Sequence, residues 1–223
     1  MDVTTSTARC PHCGAPRPTR EIEVLGRRVT VTCACQCEGA EAEWRGVPRA
    51  RRRYELAGIP PRYAGPTVDT LGRELAVAAG ESLYIHGPNG TAKSTYAASL
   101  AKALLDMGTG VYWTNSKHLI TEIQGTYGGR PSEALDRARS CKVLILDDLG
   151  KEQPTPYAIS VLYELVEARY GANRPIVATS NFDRAELAAR WAGADAPTAE
   201  AIVSRLCDGC ESVEMGGADM RLR

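Results

Sequence analysis

The residues best suited to chemistry are His86-Gly87-Pro88-Asn89-Gly90-Thr91-Ala92-Lys93-Ser94-Thr95. Small residues let successive backbone N–H groups curl around a β-phosphate. A helix that starts at the same point turns its positive end toward the anion. Lys93 has the reach for β- and γ-oxygens, and the Ser94 hydroxyl is a ligand for Mg²⁺. The spacing follows the phosphate-loop pattern G-x-x-x-x-G-K-[ST] except that Ala92 stands where the pattern has Gly. A methyl group there crowds the phosphate but removes no N–H donor. Further on, Asp147-Asp148-Leu149-Gly150 supplies an acidic pair. Asp147 would steady Mg²⁺, usually through water, and Asp148 would orient and deprotonate an attacking water. Loop and pair together point to ATP with Mg²⁺.

A second constellation is made of thiols: Cys10, Cys13, Cys33, Cys35 and Cys37. Zn²⁺ takes four such ligands, so one is spare. Cys10-Pro-His-Cys13-Gly14 is half of a zinc knuckle, with the Gly that lets its turn close. Two of the remaining three would complete the site; spacing does not choose between them, and His12 is an outside candidate. Free or redox-active cysteines are the other reading. Cys207 and Cys210 repeat the spacing without nearby partners and read as structural. A module this small lacks a core, so bound metal would supply much of its folding free energy.

These groups need elements to hold them. Leu83-Tyr84-Ile85 reads as a strand entering the phosphate loop, and Ala97, Leu100, Ala101 and Leu104 mark one face of a helix leaving it, ended by Gly108. Val111-Tyr112-Trp113 is a second strand. Leu119, Ile120, Ile123 and Tyr127 suggest a short helix broken by Gly128-Gly129, and another spans 132–140. Val143 to Leu146 is unbroken apolar, as in a parallel strand covered on both faces, and it delivers the acidic pair. Ile159, Leu162, Tyr163 and Val166 belong to a long helix that begins after Pro154 and Pro156 and ends at Gly171. The strand 175–181 turns polar at its C-terminal end, where open parallel sheets bind ligands. Asn181 there could bond a γ-phosphate or its water, or cap a turn. Helices at 182–191 and 199–206 flank a loop at 193–195, and Ser212 to Met215 is a last strand. Upstream, residues 21–25 and 28–32 read as a hairpin and 58–63 as a rigid turn.

The 223 residues carry 27 basic and 27 acidic side chains, which argues against purely electrostatic coating of nucleic acid. Arg49, Arg51, Arg52 and Arg53 form a local basic cluster that suits either a phosphate backbone or a solvated face. No apolar run has the length of a membrane span, and eight cysteines without an N-terminal apolar region suit a cytoplasmic chain. The expected organisation is a cysteine-rich zinc module at 1–44, a basic linker at 45–56 and an α/β ATPase domain at 57–223.

The order of these pieces resembles a P-loop NTPase core of the AAA+ type. Within it, the chain resembles the DnaC and DnaI helicase loaders and the related transposition ATPase IstB. The resemblance rests on Leu144-Ile-Leu-Asp-Asp-Leu-Gly150, the helix from Leu162-Tyr163 to Arg169-Tyr170, Thr179-Ser-Asn181, Ser204-Arg205-Leu206 and the terminal Gly-x-Asp-x-Arg221. It implies a parallel sheet of order 5-1-4-3-2 flanked by helices, without a full helical lid. It also implies subunits that associate side by side, with Arg205 reaching a neighbour's γ-phosphate and Arg221 sensing nucleotide in its own subunit. A DnaI-like layout, with its zinc module, implies a replicative helicase hexamer and single-stranded DNA as partners. An IstB-like protein would instead bind duplex DNA and a transposase. A zinc adaptor holding ATP without hydrolysing it is the reading of another class.

Overall fold

The computed structural model describes residues 9–10, 13–17, 19–24, 27–32, 37, 48–65, 67–125 and 132–217. Five parallel strands form the centre: β3 (Leu83–His86), β4 (Val111–Asn115), β5 (Val143–Leu149), β6 (Ile176–Ser180) and β7 (Glu211–Gly216). They lie in the order β7-β3-β6-β5-β4. Counting β3 as the first core strand, this is the expected 5-1-4-3-2. The inner strands β3, β5 and β6 are buried on both faces, which is why β5 opens as a continuous apolar run, whereas β7 exposes Glu211 and Glu214. Alternate residues serve two separate cores: Ile85, Ile145 and Val177 face one, while Tyr84, Leu144 and Ala178 face the other.

Helix α4 (Lys93–Asp106) covers the first core with Tyr96, Leu100 and Leu104, all fully buried. The second core is closed by α5 (Ser116–Gly125), α6 (Glu133–Ser140), α7 (Pro156–Gly171) and α8 (Arg184–Cys207). Their starts are written locally. Ser132 Oγ accepts from Leu135 N–H, Thr155 Oγ1 from Ala158 N–H with Pro156 following, and Asp183 with Glu186 makes a reciprocal capping box. The loop expected at 193–195 is a kink: Gly193 and Ala194 stay helical, Asp195 departs to φ −164, and Pro197 follows. The Asp195 carboxylate restarts the helix by accepting from Thr198 N–H at 3.2 Å and Thr198 Oγ1 at 2.7 Å.

Two features upstream were not legible as such. Residues 61–64 are a helical turn, α2 (Pro61–Ala64), and α3 (Arg73–Ala79) packs against α4. The basic stretch forms α1 (Pro48–Leu56), whose Tyr54 joins the first core and donates to Asp106 Oδ2 at 3.1 Å. Arg51 pairs with Glu55 and Arg53 with Asp106, so part of the cluster is neutralised within the fold. The N-terminal hairpin, β1 (Thr19–Val24) and β2 (Arg27–Thr32), does not stand apart. Glu23 and Val24 pair antiparallel with Gly216 and Met215, extending the sheet to seven strands.

Candidate functional site

All the phosphate-loop residues lie at the C-terminal edge of the parallel sheet, where β3 hands over to α4. Gly87 opens the turn at φ 141, and a Cβ there would sit 2.1 Å from Met215 O on β7, so no other residue fits. Pro88 and Asn89 are exposed at the tip, with Gly90 and Thr91 leading back toward the helix. The Thr91 hydroxyl donates to Pro88 O at 3.0 Å and braces the loop. Lys93 is buried, its Nζ donating to Gly87 O at 2.8 Å and Pro88 O at 2.6 Å. The loop therefore curls around its own ammonium. Ala92 is the helix N-cap at φ 67, ψ 20, left-handed backbone. That locates the cost of the missing Gly: it falls on the backbone, which a Cβ disfavours. Thr95 lies half-buried in the first turn of α4, its carbonyl accepting from Ser99 Oγ.

The acidic pair sits on a bulge. Leu146 pairs with Ala178 and Leu149 with Ser180, so Asp147 and Asp148 together face Thr179. Asp148 takes up the extra residue at φ 58. Asp147 is buried, and its Oδ1 accepts from Ser94 Oγ at 2.8 Å and Thr179 Oγ1 at 2.6 Å. Burial pushes its carboxyl above the usual range, while the two hydroxyl donors pull it back. The same Thr179 oxygen accepts from Asp148 N–H at 2.9 Å, so one hydroxyl ties both acidic residues to β6. The Asp148 carboxylate pairs with Lys151 Nζ at 2.7 Å and receives Asn115 Nδ2 at 3.4 Å. Asn115 ends β4, and its Oδ1 accepts from Lys117 and His118 N–H at the start of α5. Ser94 Oγ and the Asp147 carboxylate are hard oxygen donors in contact with one another beside a polyphosphate loop. That donor set fits Mg²⁺ shared with phosphate.

Asn181 follows β6 directly. The register sets Ser180 opposite His86, so Asn181 is next to Gly87, half-buried. Arg205 occupies the last turn of α8, just before β7 enters the sheet at its N-terminal edge. The length of a strand, on the order of 15 Å, separates it from its own phosphate loop. There its guanidinium pairs with Glu167 and lies over the Tyr163 ring at 5.3 Å. Arg221, Cys33, Cys35 and His12, like the expected helix end at Tyr127 to Gly129, lie outside the described residues. Of the thiols, Cys10, Cys13 and Cys37 have sulfurs within 4.8 Å of one another, and Cys10 and Cys37 are 3.7 Å apart. Zn–S bonds of about 2.3 Å in a tetrahedron put sulfurs about 3.8 Å apart, so three thiols already have the spacing of a zinc site. The turn expected after Cys13 is present: Gly14 adopts φ 66 and its N–H donates to Cys10 O at 2.9 Å.

Asn115, Lys151 and Glu152 also touch this site and were not singled out from the sequence. Asn115 was findable by the rule that selected Asn181, since it too is a polar residue ending a parallel strand.

The family described as IstB-like ATP binding protein matches residues 67–223. A protein described as ATP-binding within an insertion sequence of Mycobacterium tuberculosis is 27% identical over 166 residues, 73% of this chain and 64% of the relative. A similar insertion-sequence protein of Sinorhizobium fredii is 32% identical over 161 residues, 64% of this chain and 54% of the relative. The chain thus spans less than two thirds of either. Among solved structures, DnaI superimposes with a TM-score of 0.60 at 25% identity, over 66% of this chain and 83% of that one. The DnaC helicase loader superimposes with a TM-score of 0.58 at 20% identity, over 70% of this chain and all of that one, and shares the fold.

Proposed function

The chain belongs to the IstB-like ATP-binding protein family, and from that premise we propose that it hydrolyses ATP to load or remodel a replicative helicase on single-stranded DNA. The observation that carries the hydrolytic part is the contact of Ser94 and Asp147 beneath the phosphate loop, with Asp148 on the adjoining bulge. In this reading the loop N–H groups and Lys93 hold the β- and γ-phosphates, Lys93 turning from the loop carbonyls to the phosphate oxygens. Ser94 and Asp147 would hold Mg²⁺, which would supply charge neutralisation on the phosphates. Asp148 takes the proton of the attacking water after exchanging its Lys151 partner, and Asn181 orients that water or the γ-phosphate. Arg205 acts on a neighbour's nucleotide, leaving Glu167 to do so. Its place at the far end of the sheet supports action between subunits rather than within one. Arg221 would report on nucleotide in its own subunit.

The loader reading draws on the cysteine cluster and on the likeness to DnaI. Zinc held by Cys10, Cys13, Cys37 and one of Cys33 or Cys35 would fix a docking module for the helicase ring. A second reading is favoured by the curated relatives, which are insertion-sequence proteins: an ATPase that binds duplex DNA and serves a transposase. Pull-down of the replicative helicase from the host, with and without ATP, tests the first reading. ATP-dependent capture is expected. Retention of a transposase and duplex DNA with no helicase would replace it. Turnover measured with zinc and DNA present separates both from a non-hydrolysing adaptor. Asp148→Asn keeps the left-handed backbone that Asn tolerates and removes the base. It should retain nucleotide and lose at least about a hundredfold in kcat. Unchanged turnover in that variant would exclude Asp148 as the base.

A further inference from the structure

Four residues beyond Asp148, another carboxylate is sealed inside the protein. Glu152 is 1% exposed. Its Oε2 accepts from Gly150 N–H at 3.0 Å and lies 2.7 Å from Ser116 Oγ. Its Oε1 accepts from the indole Nε1–H of Trp191 at 2.7 Å, and Trp191 is itself fully buried. Among the described residues no ion pair is formed by Glu152; N–H and O–H groups alone surround its carboxylate oxygens. Burying an ionised carboxylate costs several kcal/mol, about what well-made charged hydrogen bonds return. An apolar side chain there would leave the Gly150 and Trp191 N–H groups buried without acceptors, so the carboxylate needs an account beyond packing.

The groups it joins supply one. Gly150 (φ 91) and Asp148 (φ 58) are both left-handed, on either side of Leu149. Ser116 Oγ also lies 3.0 Å from Asp148 O, so the same hydroxyl touches the Glu152 carboxylate and the Asp148 carbonyl. Arg190, next to Trp191 on α8, donates to Gly150 O and lies over the Phe182 ring at 5.1 Å. The bulge that presents Asp148 is thus clamped from α5 and from α8 through one carboxylate. Resting on the reading of Asp148 as the base, we infer that Glu152 is a positioning residue: it fixes the left-handed turn at 148–150 and thereby the direction of the Asp148 carboxylate. The same clamp ties that turn to the helix that carries Arg205.

Glu152→Gln tests this with little change of shape. The Gln amide offers one acceptor and one donor where three donors converge, so its NH₂ must face either Trp191 N–H or Gly150 N–H. The expected result is a kcat lowered about tenfold or more, with KM and nucleotide Kd within about twofold, because the phosphate loop is untouched. Adding Trp191→Phe removes the clashing donor and should return most of the lost kcat. Ser116→Ala, a deletion of one hydroxyl, should lower kcat at constant KM even if Glu152→Gln folds poorly. A purely structural Glu152 would lower the melting temperature while kcat per folded molecule stayed within twofold of the parent. That outcome, or a double variant no better than the single, overturns the assignment. Turnover by the parent chain and its loss in Asp148→Asn report separately on the hydrolytic reading.

Discussion

Ala92→Gly should make this protein more stable, although it places glycine at the start of a helix. Ala92 holds φ 67, ψ 20 at the N-cap of α4. A residue with a Cβ pays about 1–2 kcal/mol for left-handed backbone, whereas glycine is indifferent to the sign of φ. Glycine in turn loses about 0.4–1 kcal/mol more conformational entropy on folding. The balance favours the variant by about 0.5–1 kcal/mol. At about 2–4 °C per kcal/mol for a domain of this size, the melting temperature should rise by about 1–4 °C. Calorimetry on both chains reads this directly. The strain is present with and without nucleotide and cancels in binding, so the Kd for ATP should stay within about twofold. If the Ala92 methyl also crowds the phosphate, a Kd lowered tenfold or so would reveal it, as a separate effect. Ala92→Val is the control: a β-branched side chain at positive φ should destabilise by more than about 1 kcal/mol. A glycine variant no more stable than the parent, together with a tolerated valine, would refute the backbone account.

Arg169 is fully buried and donates to the carbonyls of Ala138 at 2.7 Å, Cys141 at 3.0 Å and Pro175 at 2.7 Å, closing the end of α6 and the entry to β6. Arg169→Met leaves those oxygens bare and should cost more than about 3 kcal/mol in urea unfolding; a loss under about 1 kcal/mol would contradict the bonding described. Lys102 is buried with Nζ donating to Tyr63 O at 3.0 Å, and burial pushes its ammonium down to about 8. An unfolded lysine titrates near pH 10.4, so between about 8 and 10 the unfolded chain holds more protons and Lys102 makes stability rise with pH, by up to about 1 kcal/mol per unit. Lys102→Met should lack that rise. Comparing the two chains removes the opposite trend above pH 9 from the Cys210 thiol, which burial raises to about 12; parallel pH profiles would refute the role. A zinc-selective chelator that spares Mg²⁺ should release metal and speed amide exchange at Val213 to Met215, the strand against which the hairpin pairs. Exchange unaltered after metal loss would mean the hairpin holds without it.

Which parts of this could be seen in the sequence follows from the range of the forces involved. Val143 to Leu146 announced a central strand because both its faces are buried and every residue had to be apolar. Pro156 announced the start of α7 because proline suits only a helix's first turn; the caps Ser132, Thr155 and Asp183 are equally local but went unread. The bulge at Asp147 and Asp148 left no such trace: it is a relation between β5 and β6, and only the register discloses it. Arg73-Glu-Leu-Ala-Val-Ala-Ala buries only Val77, so α3 offered no apolar face to read. Glu152 looked like any surface acid until Trp191, far along the chain, was brought to it.

The pairing of the hairpin with β7 has a consequence for the phosphate loop. Met215 O stands where the Cβ of Gly87 would be, so β7 forms one wall of that loop. On its other side Met215 pairs with Val24 of the hairpin. One residue of one strand therefore separates the hairpin from the first turn of the phosphate site. Gly87 cannot shift toward β7 without displacing the Met215 carbonyl, and that carbonyl cannot move without disturbing the ladder to Val24. A shift of Gly87 toward β7 would therefore be absorbed by β7 or passed to the hairpin. A sheet continuous from the hairpin through β7 to β3 makes the second route available without any further contact between the two.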